Sequence, residues 1–235
     1  MPVITIGENT ADDFAGIEDA QIKENAATNN YGGSSIIELT KYEASDHTNS
    51  LIKMTDAGLS NIPGGSTITS VSLLIYLTIS NGGNDVHSIK RVLVDWEEGT
   101  QDGANRQNDT PDSCCWNEYG SGNSWTTAGC LSDGNDRSAT VSATMTEGEF
   151  PPTGQYYEFA DAQMVADFQN WLDLIWSNYG YVIERTDGEN DYHYKVYASS
   201  EGTDGQRPYL EIDYTEGGGG GISMAVIMHH KKMRQ

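Results

Sequence analysis

Apolar and polar residues alternate along most of this chain, the two-residue period of strands that bury one face. The pattern predicts ten strands: Ile17–Lys23, Ser35–Leu39, Ser50–Met54, Thr67–Ile79, Val86–Leu93, Ala139–Thr144, Gln155–Phe159, Tyr181–Thr186, Tyr192–Ala198 and Tyr209–Tyr214. Turn formers separate them, among them Tyr31-Gly32-Gly33, Pro63-Gly64-Gly65, Asn81-Gly82-Gly83 and Asp187-Gly188. Short strands at these intervals predict an all-β fold, an antiparallel β-sandwich of jelly-roll type. One segment departs from the period of two. Met164, Val165, Phe168, Trp171, Leu172, Ile175 and Trp176 recur at three and four, which predicts one short amphipathic helix capped by Asp161 and closing an end of the sandwich.

Between Asp95 and Asp136 no period is sustained, although the stretch holds Trp96, Trp116 and Trp125 and every cysteine of the chain. Excursions this long are usually functional or disordered, and three tryptophans argue against disorder. Trp116, Tyr119 and Trp125 are therefore the candidate carbohydrate-binding residues, since an aromatic ring offers a flat apolar face with a polar edge. The competing expectation is that the same rings pin the excursion to the sandwich. Cys114, Cys115 and Cys130 are an odd set with no zinc spacing; reduced thiols are expected, with a bridge from Cys130 to one of the others as the alternative.

The C-terminus reads as a separate object. Gly217–Gly221 is a flexible spacer, followed by the β-prone run Ile222-Ser223-Met224-Ala225-Val226-Ile227-Met228 and a basic end. An apolar run of this kind left in water aggregates, so it is expected to pair with another chain. Ile222, Met224, Val226, Ile227 and Met228, with Lys231, Lys232 and Arg234, are the candidate subunit-docking residues. Three parts follow: residues 1–16 as an N-terminal arm, 17–216 as the sandwich, and 217–235 as glycine linker and docking tail.

Charge sharpens this picture. The formal net charge is −22, and the tail's three cationic side chains leave −25 on residues 1–216. So acidic a body repels phosphate backbones, which argues against nucleic-acid binding. No run reaches the roughly 20 apolar residues of a membrane-spanning helix, so no membrane insertion is expected. Met1–Ile6 has neither a basic n-region nor a long apolar h-region, and no secretory signal peptide is expected.

Candidate chemistry is sparse. No nucleophile signature is present, and no spacing singles out a carboxylate pair in a chain this acidic, so no catalytic residues are assigned and the chain is not expected to be an enzyme. His47, His87 and His193 fall on or beside strands; His229-His230 gives too few ligands for a metal site. Two acidic loops, Asp133-Gly134-Asn135-Asp136 and Asp187-Gly188-Glu189-Asn190-Asp191, have the oxygen-rich chemistry that calcium wants, without EF-hand spacing. Calcium is the one cofactor the sequence admits, with Asp187, Glu189 and Asp191 as candidate ligands. Ordinary turn chemistry explains both loops equally well.

A series of segments carries a family resemblance over roughly residues 17–214. They are Asp19-Ala20-Gln21-Ile22, Asn30-Tyr31-Gly32-Gly33, Leu51-Ile52-Lys53-Met54 and Ile62-Pro63-Gly64-Gly65-Ser66-Thr67-Ile68-Thr69-Ser70-Val71. Then come Arg91-Val92-Leu93-Val94-Asp95-Trp96-Glu97-Glu98-Gly99, Trp116-Asn117, Trp125-Thr126-Thr127-Ala128-Gly129, Ser199-Ser200-Glu201 and Arg207-Pro208-Tyr209-Leu210-Glu211-Ile212. In this order the chain resembles the DNRLRE-type domain, a jelly-roll sandwich similar to carbohydrate-binding modules. The resemblance implies a non-catalytic module of extracellular or cell-surface proteins, some members binding polysaccharide. The cysteine-bearing insertion and the glycine-tethered tail depart from that pattern.

The expectation is thus a structural or binding module. The first reading is a virion protein of a tailed bacteriophage (a head decoration, fibre or tail-associated subunit) that forms homo-oligomers or docks on other virion or filament subunits. The alternative is an extracellular carbohydrate-binding module with surface glycans as partners.

Overall fold

Alternation does build the strands. The computed structural model describes residues 2–7, 16–42, 46–109, 113–148, 151–187 and 193–217. In chain order the strands are β1 (Val3–Ile6), β2 (Ile17–Lys23), β3 (Asn29–Asn30), β4 (Ile36–Tyr42), β5 (Asp46–Met54), β6 (Thr67–Ser80), β7 (Val86–Val92) and β8 (Ala104–Asn105). They continue as β9 (Glu118–Gly120), β10 (Asn123–Ser124), β11 (Arg137–Thr146), β12 (Gln155–Ala160), β13 (Tyr181–Arg185), β14 (Tyr194–Ala198) and β15 (Tyr209–Thr215). A single helical turn, α1 (Asp56–Leu59), precedes β6, and α2 (Ala162–Leu172) precedes β13. All ten strands expected from the period of two are present, with ends moved by a few residues.

The main sheet runs β1-β15-β6-β14-β4-β5-β13-β7-β11, with β12 on β6 and β2 on β5, and its strand pairs are antiparallel. It curls until β11 meets β12, forming the jelly-roll-like sandwich. β6 is the spine. Val71, Leu73, Ile75 and Leu77 point inward in strict alternation and meet Leu210 and Ile212 of β15, Phe159 of β12, Ile37 and Leu39 of β4, and Ile183 of β13 in one core. Within the segment expected as an N-terminal arm, β1 pairs with β15 in the register Ile4↔Ile212 and places Ile6 in that core.

The helix forms where the period changes to three and four. The Asp161 carboxylate caps it, accepting the Gln163 N–H at 2.9 Å. Met164, Phe168, Trp171 and Leu172 cover the open end of the main core. Buried Asp167 ties the helix to the sheet by accepting from Ser142 Oγ at 2.6 Å and Tyr181 Oη at 3.3 Å, with Arg91 Nε at 3.4 Å. The expected stripe overshoots: α2 stops at Leu172, Leu174 turns left-handed with φ 58°, and Ile175 is 65% exposed. Trp176, partly buried, still packs against the main core, and the Arg91 guanidinium lies 3.8 Å from its ring centroid.

A second core lies on the outer side of the sheet. β2, β5, β13 and β7 bury both faces, sending Ile52, Tyr181, Ile183 and Ile89 inward and Ala20, Ile22, Leu51, Val182 and Val92 outward. The outward set is covered by Trp96, Cys114, Trp116, Trp125 and Cys130. The aperiodic excursion is therefore a packed lobe over the sheet.

Candidate functional site

The lobe holds itself together through side chain-to-backbone bonds. Asn30 Nδ2 donates to the carbonyls of Glu98 (2.5 Å) and Cys114 (3.0 Å), while its Oδ1 accepts from the N–H groups of Gly32 and Gln101, both at 3.1 Å. Gly32 has to be glycine here, because a Cβ would stand 2.2 Å from the Glu98 oxygen. Asp136 works likewise on the far side, accepting from the backbone N–H groups of Thr126 (2.8 Å), Thr127 (2.9 Å) and Ser132 (3.3 Å).

Inside this frame the expected sugar platform is not a surface. Trp116 is 6% and Trp125 4% exposed, and Trp125 Nε1 donates to the Cys115 carbonyl at 2.9 Å. Trp116 packs so close to Gly129 that a Cβ there would lie 2.5 Å from the ring. Tyr119 is half-buried and leans on Trp125, 5.4 Å between centroids. A buried ring cannot stack on a sugar, so Trp116 and Trp125 pin the lobe, while Tyr119 keeps part of its ring exposed. Sequence alone could not separate the two roles, since both require aromatic residues in a polar loop. The three thiols are free and buried, and burial pushes the pKa of each upward, so none is primed as a nucleophile.

The acidic loops are engaged with protein groups. Asp133 meets Lys90 at 3.0 Å and Arg137 at 2.8 Å, and those bonds hold its carboxyl below the usual range, with burial opposing them. Asp187 forms a paired contact with Arg185, 2.8 and 2.9 Å, and its pKa is likewise lowered. Glu189 and Asp191 lie outside the described residues, as do the docking residues Ile222, Met224, Val226, Ile227, Met228, Lys231, Lys232 and Arg234. Among the described residues, no group of three or more His, Cys, Asp or Glu is arranged to hold a metal ion.

A cluster of carboxylates does sit at the seam between lobe and sheet, built from three segments singled out above. Glu98 Oε1 accepts the Asp19 N–H at 2.7 Å, and Asp19 Oδ2 accepts the Ser200 N–H at 2.7 Å. Glu201 follows, with Ser200 Oγ donating to its Oε2 at 3.0 Å. Burial, reinforced by repulsion from the neighbouring carboxylates, pushes Asp19 up to about 8 and Glu98 to about 9, and burial alone raises Glu201. Their geometry is that of struts: Glu98 and Asp19 are spent on backbone donors and Glu201 on the Ser200 hydroxyl, and together they join β2, the lobe and the β14–β15 connection. An apolar gap between Phe168, Trp171, Leu73 and Leu210 is about water-sized.

No family model matches the chain, and no curated protein matches it.

Among the described residues, one partly open sheet face carries a group of aromatic rings. Tyr76 of β6 stands directly opposite Tyr156 of β12, and Tyr209 of β15 is registered with Leu74. Since Ile75, Leu77 and Leu210 face the core, alternation turns these three tyrosines outward, where they are half-buried. Their rings meet edge to face, 5.0 Å between Tyr76 and Tyr156 and 5.0 Å between Tyr156 and Tyr209. The Tyr156 hydroxyl donates to the carbonyls of Gly205 (3.0 Å) and Arg207 (3.1 Å), which fixes the trio to the β14–β15 connection. Polar residues continue the face: Ser72 bonded to Glu158, and Ser70 bonded to Asp213 at 2.7 Å. Sequence reasoning passed over this patch, although the signal is there: each tyrosine sits on the polar phase of a strand.

Proposed function

We propose that this chain is a non-catalytic structural and binding module whose tethered C-terminal segment docks on a neighbouring subunit. One observation carries the reading. β15 ends at Thr215 with both its edges occupied, by β1 and β6, and five glycines, Gly217–Gly221, then separate it from the apolar and basic run Ile222–Arg234. The acidic body offers the basic end a complementary surface on sister copies, and β1, which among the described residues is hydrogen-bonded on one side only, offers the apolar run a strand to pair with. The way the carboxylates are used also supports it, as braces on backbone N–H groups. A tail-docked, acidic β-module fits a particle subunit best, with a tailed-bacteriophage decoration, fibre or tail-associated protein as the specific reading. In a particle assembled with the chain cut after Gly217, the expected result is loss of incorporation with the body still folded. Incorporation at the full-length level would end the docking reading.

The tyrosine face favours a second reading, a glycan-binding module similar to the DNRLRE-type domain. Half-exposed rings beside carboxylates and hydroxyls match the apolar faces and hydroxyl rims of sugars. On this reading Tyr156→Ala abolishes retardation in a polysaccharide affinity gel, whereas Tyr119→Ala leaves it unchanged. Equal retardation of both variants and the parent would rule the face out.

A further inference from the structure

Where the β6–β7 connection, the end of β11 and the start of β14 converge, Lys195, Asp85 and Glu147 are shut away from solvent, each 0% exposed. Lys195 Nζ lies 2.5 Å from Asp85 Oδ2 and 3.9 Å from Glu147 Oε2, and it also donates to the carbonyls of Gly82 and Gly83. Arg185 Nη2 stands 3.1 Å from the other Asp85 oxygen. The Tyr197 hydroxyl donates to Glu147 Oε1, leaving Oε2 without a hydrogen-bond partner among the described residues. Nothing in the sandwich core requires these ions, and removing each from water costs several kcal/mol of solvation. Two chemistries fit the arrangement: a buried ion pair that persists, or a pair that condenses.

We propose that Lys195 and Asp85 condense into an intramolecular isopeptide bond, with Glu147 relaying the proton. Condensation needs the amine and the acid, which form when one Nζ proton passes to Oδ2 across the 2.5 Å contact, and the two groups are already held together. The Lys195 nitrogen lone pair attacks Asp85 Cγ, forming the N–C bond, while the electrons of the C–Oδ1 double bond move onto Oδ1 beside Arg185. Protonated Glu147 gives its proton to Oδ2 and takes one from Nζ. The Oδ1 electrons re-form the carbonyl as the C–Oδ2 bond breaks, and Oδ2 leaves as water with the proton it took from Nζ and the one from Glu147. Glu147 ends as it began, no oxidant or co-reactant is needed, and the remaining amide N–H keeps the Gly82 carbonyl as acceptor. Burial pushes the Glu147 carboxyl up to about 7, so it holds a proton near neutrality. The bond would tie β14 to the start of β7 across a large part of the chain, a covalent brace suited to a load-bearing module.

The test is the intact mass of the full chain, purified folded and measured after denaturation and thiol reduction. The expected result is a mass lower than the sequence mass by one water, and a branched proteolytic fragment joining the segments that contain Asp85 and Lys195. Lys195→Arg and Asp85→Ala should restore the full sequence mass, and Glu147→Gln should slow or stop the loss. A folded parent chain at its full sequence mass, or a water loss mapped to other residues, would overturn the proposal whether or not the variants fold. Condensation at the parent rate in Glu147→Gln would overturn the relay.

Discussion

Replacing Trp96 by alanine is expected to lower the unfolding free energy by about 3–5 kcal/mol, the range for deleting a fully buried large aromatic side chain. Trp96 is 1% exposed and central to the outer core with Leu51, Val92 and Val182. Its Nε1 donates to the Tyr179 carbonyl at 2.8 Å, and Lys53 Nζ, itself paired with Glu18 at 2.7 Å, lies 4.9 Å from its ring centroid. Truncation therefore opens a cavity, strands a carbonyl and uncovers a cation together. Urea unfolding should show a lower midpoint with an unchanged slope. A shift under about 1 kcal/mol would mean that the lobe is not part of the cooperative core.

Between pH 6.5 and 8.5 the protein is expected to lose stability as pH rises, on the order of 2 kcal/mol from Asp19 alone. The sign follows from the direction of the shift. Asp19 titrates near 8 and Glu98 near 9 in the folded chain, both above their ordinary carboxylate values, so the folded state binds more protons than the unfolded one. Their stabilising contribution is complete below about pH 4 and vanishes as pH passes through 8 to 9. The two share a hydrogen-bonded seam and titrate as a pair. Buried His87, pushed down to about 3 chiefly by desolvation, acts oppositely: its contribution is present above pH 6.5 and lost on acidification. The window above pH 6.5 thus excludes His87; Glu147, raised to about 7, falls in it with the same sign, and the Asp19 variant separates the Asp19 share. Asp19→Asn, which copies the protonated acid and cannot ionise in the unfolded chain, should match the parent below about pH 4 and exceed it by a margin that grows up to pH 8.5. A parent curve flat across this window, or an Asn variant weaker at pH 8.5, would show that these carboxylates are solvated.

Most of the sheet was legible because half-buried strands advertise themselves by alternation, and β6 is the clearest case, with Val71, Leu73, Ile75 and Leu77 on one phase. β1 was not legible. Four residues carry little periodicity, and its reason to be a strand lies in pairing with β15, some two hundred residues away. The lobe was opaque for a related reason. Its order comes from single polar hubs, Asn30 and Asp136, whose partners are scattered backbone groups, and such hubs leave no linear pattern. Among the candidate site residues, sequence could name Trp116, Tyr119 and Trp125 as aromatic residues in a polar excursion but could not see what packs on their faces. The carboxylate seam was hidden by abundance: in a chain of net charge −22, nothing marks Asp19, Glu98 and Glu201 apart from their neighbours. The Lys195 cluster depends on three strands meeting at one end, and only the tertiary structure assembles it.

The docking account stands or falls on the mass of the protein in solution, measured by light scattering for the full chain and for the chain ending at Gly217. It predicts a full chain larger than one subunit, reduced to a monomer of unchanged fold by truncation, and weakened by salt because Lys231, Lys232 and Arg234 meet an acidic body. A full chain that stays monomeric, with or without its last residues, would contradict it.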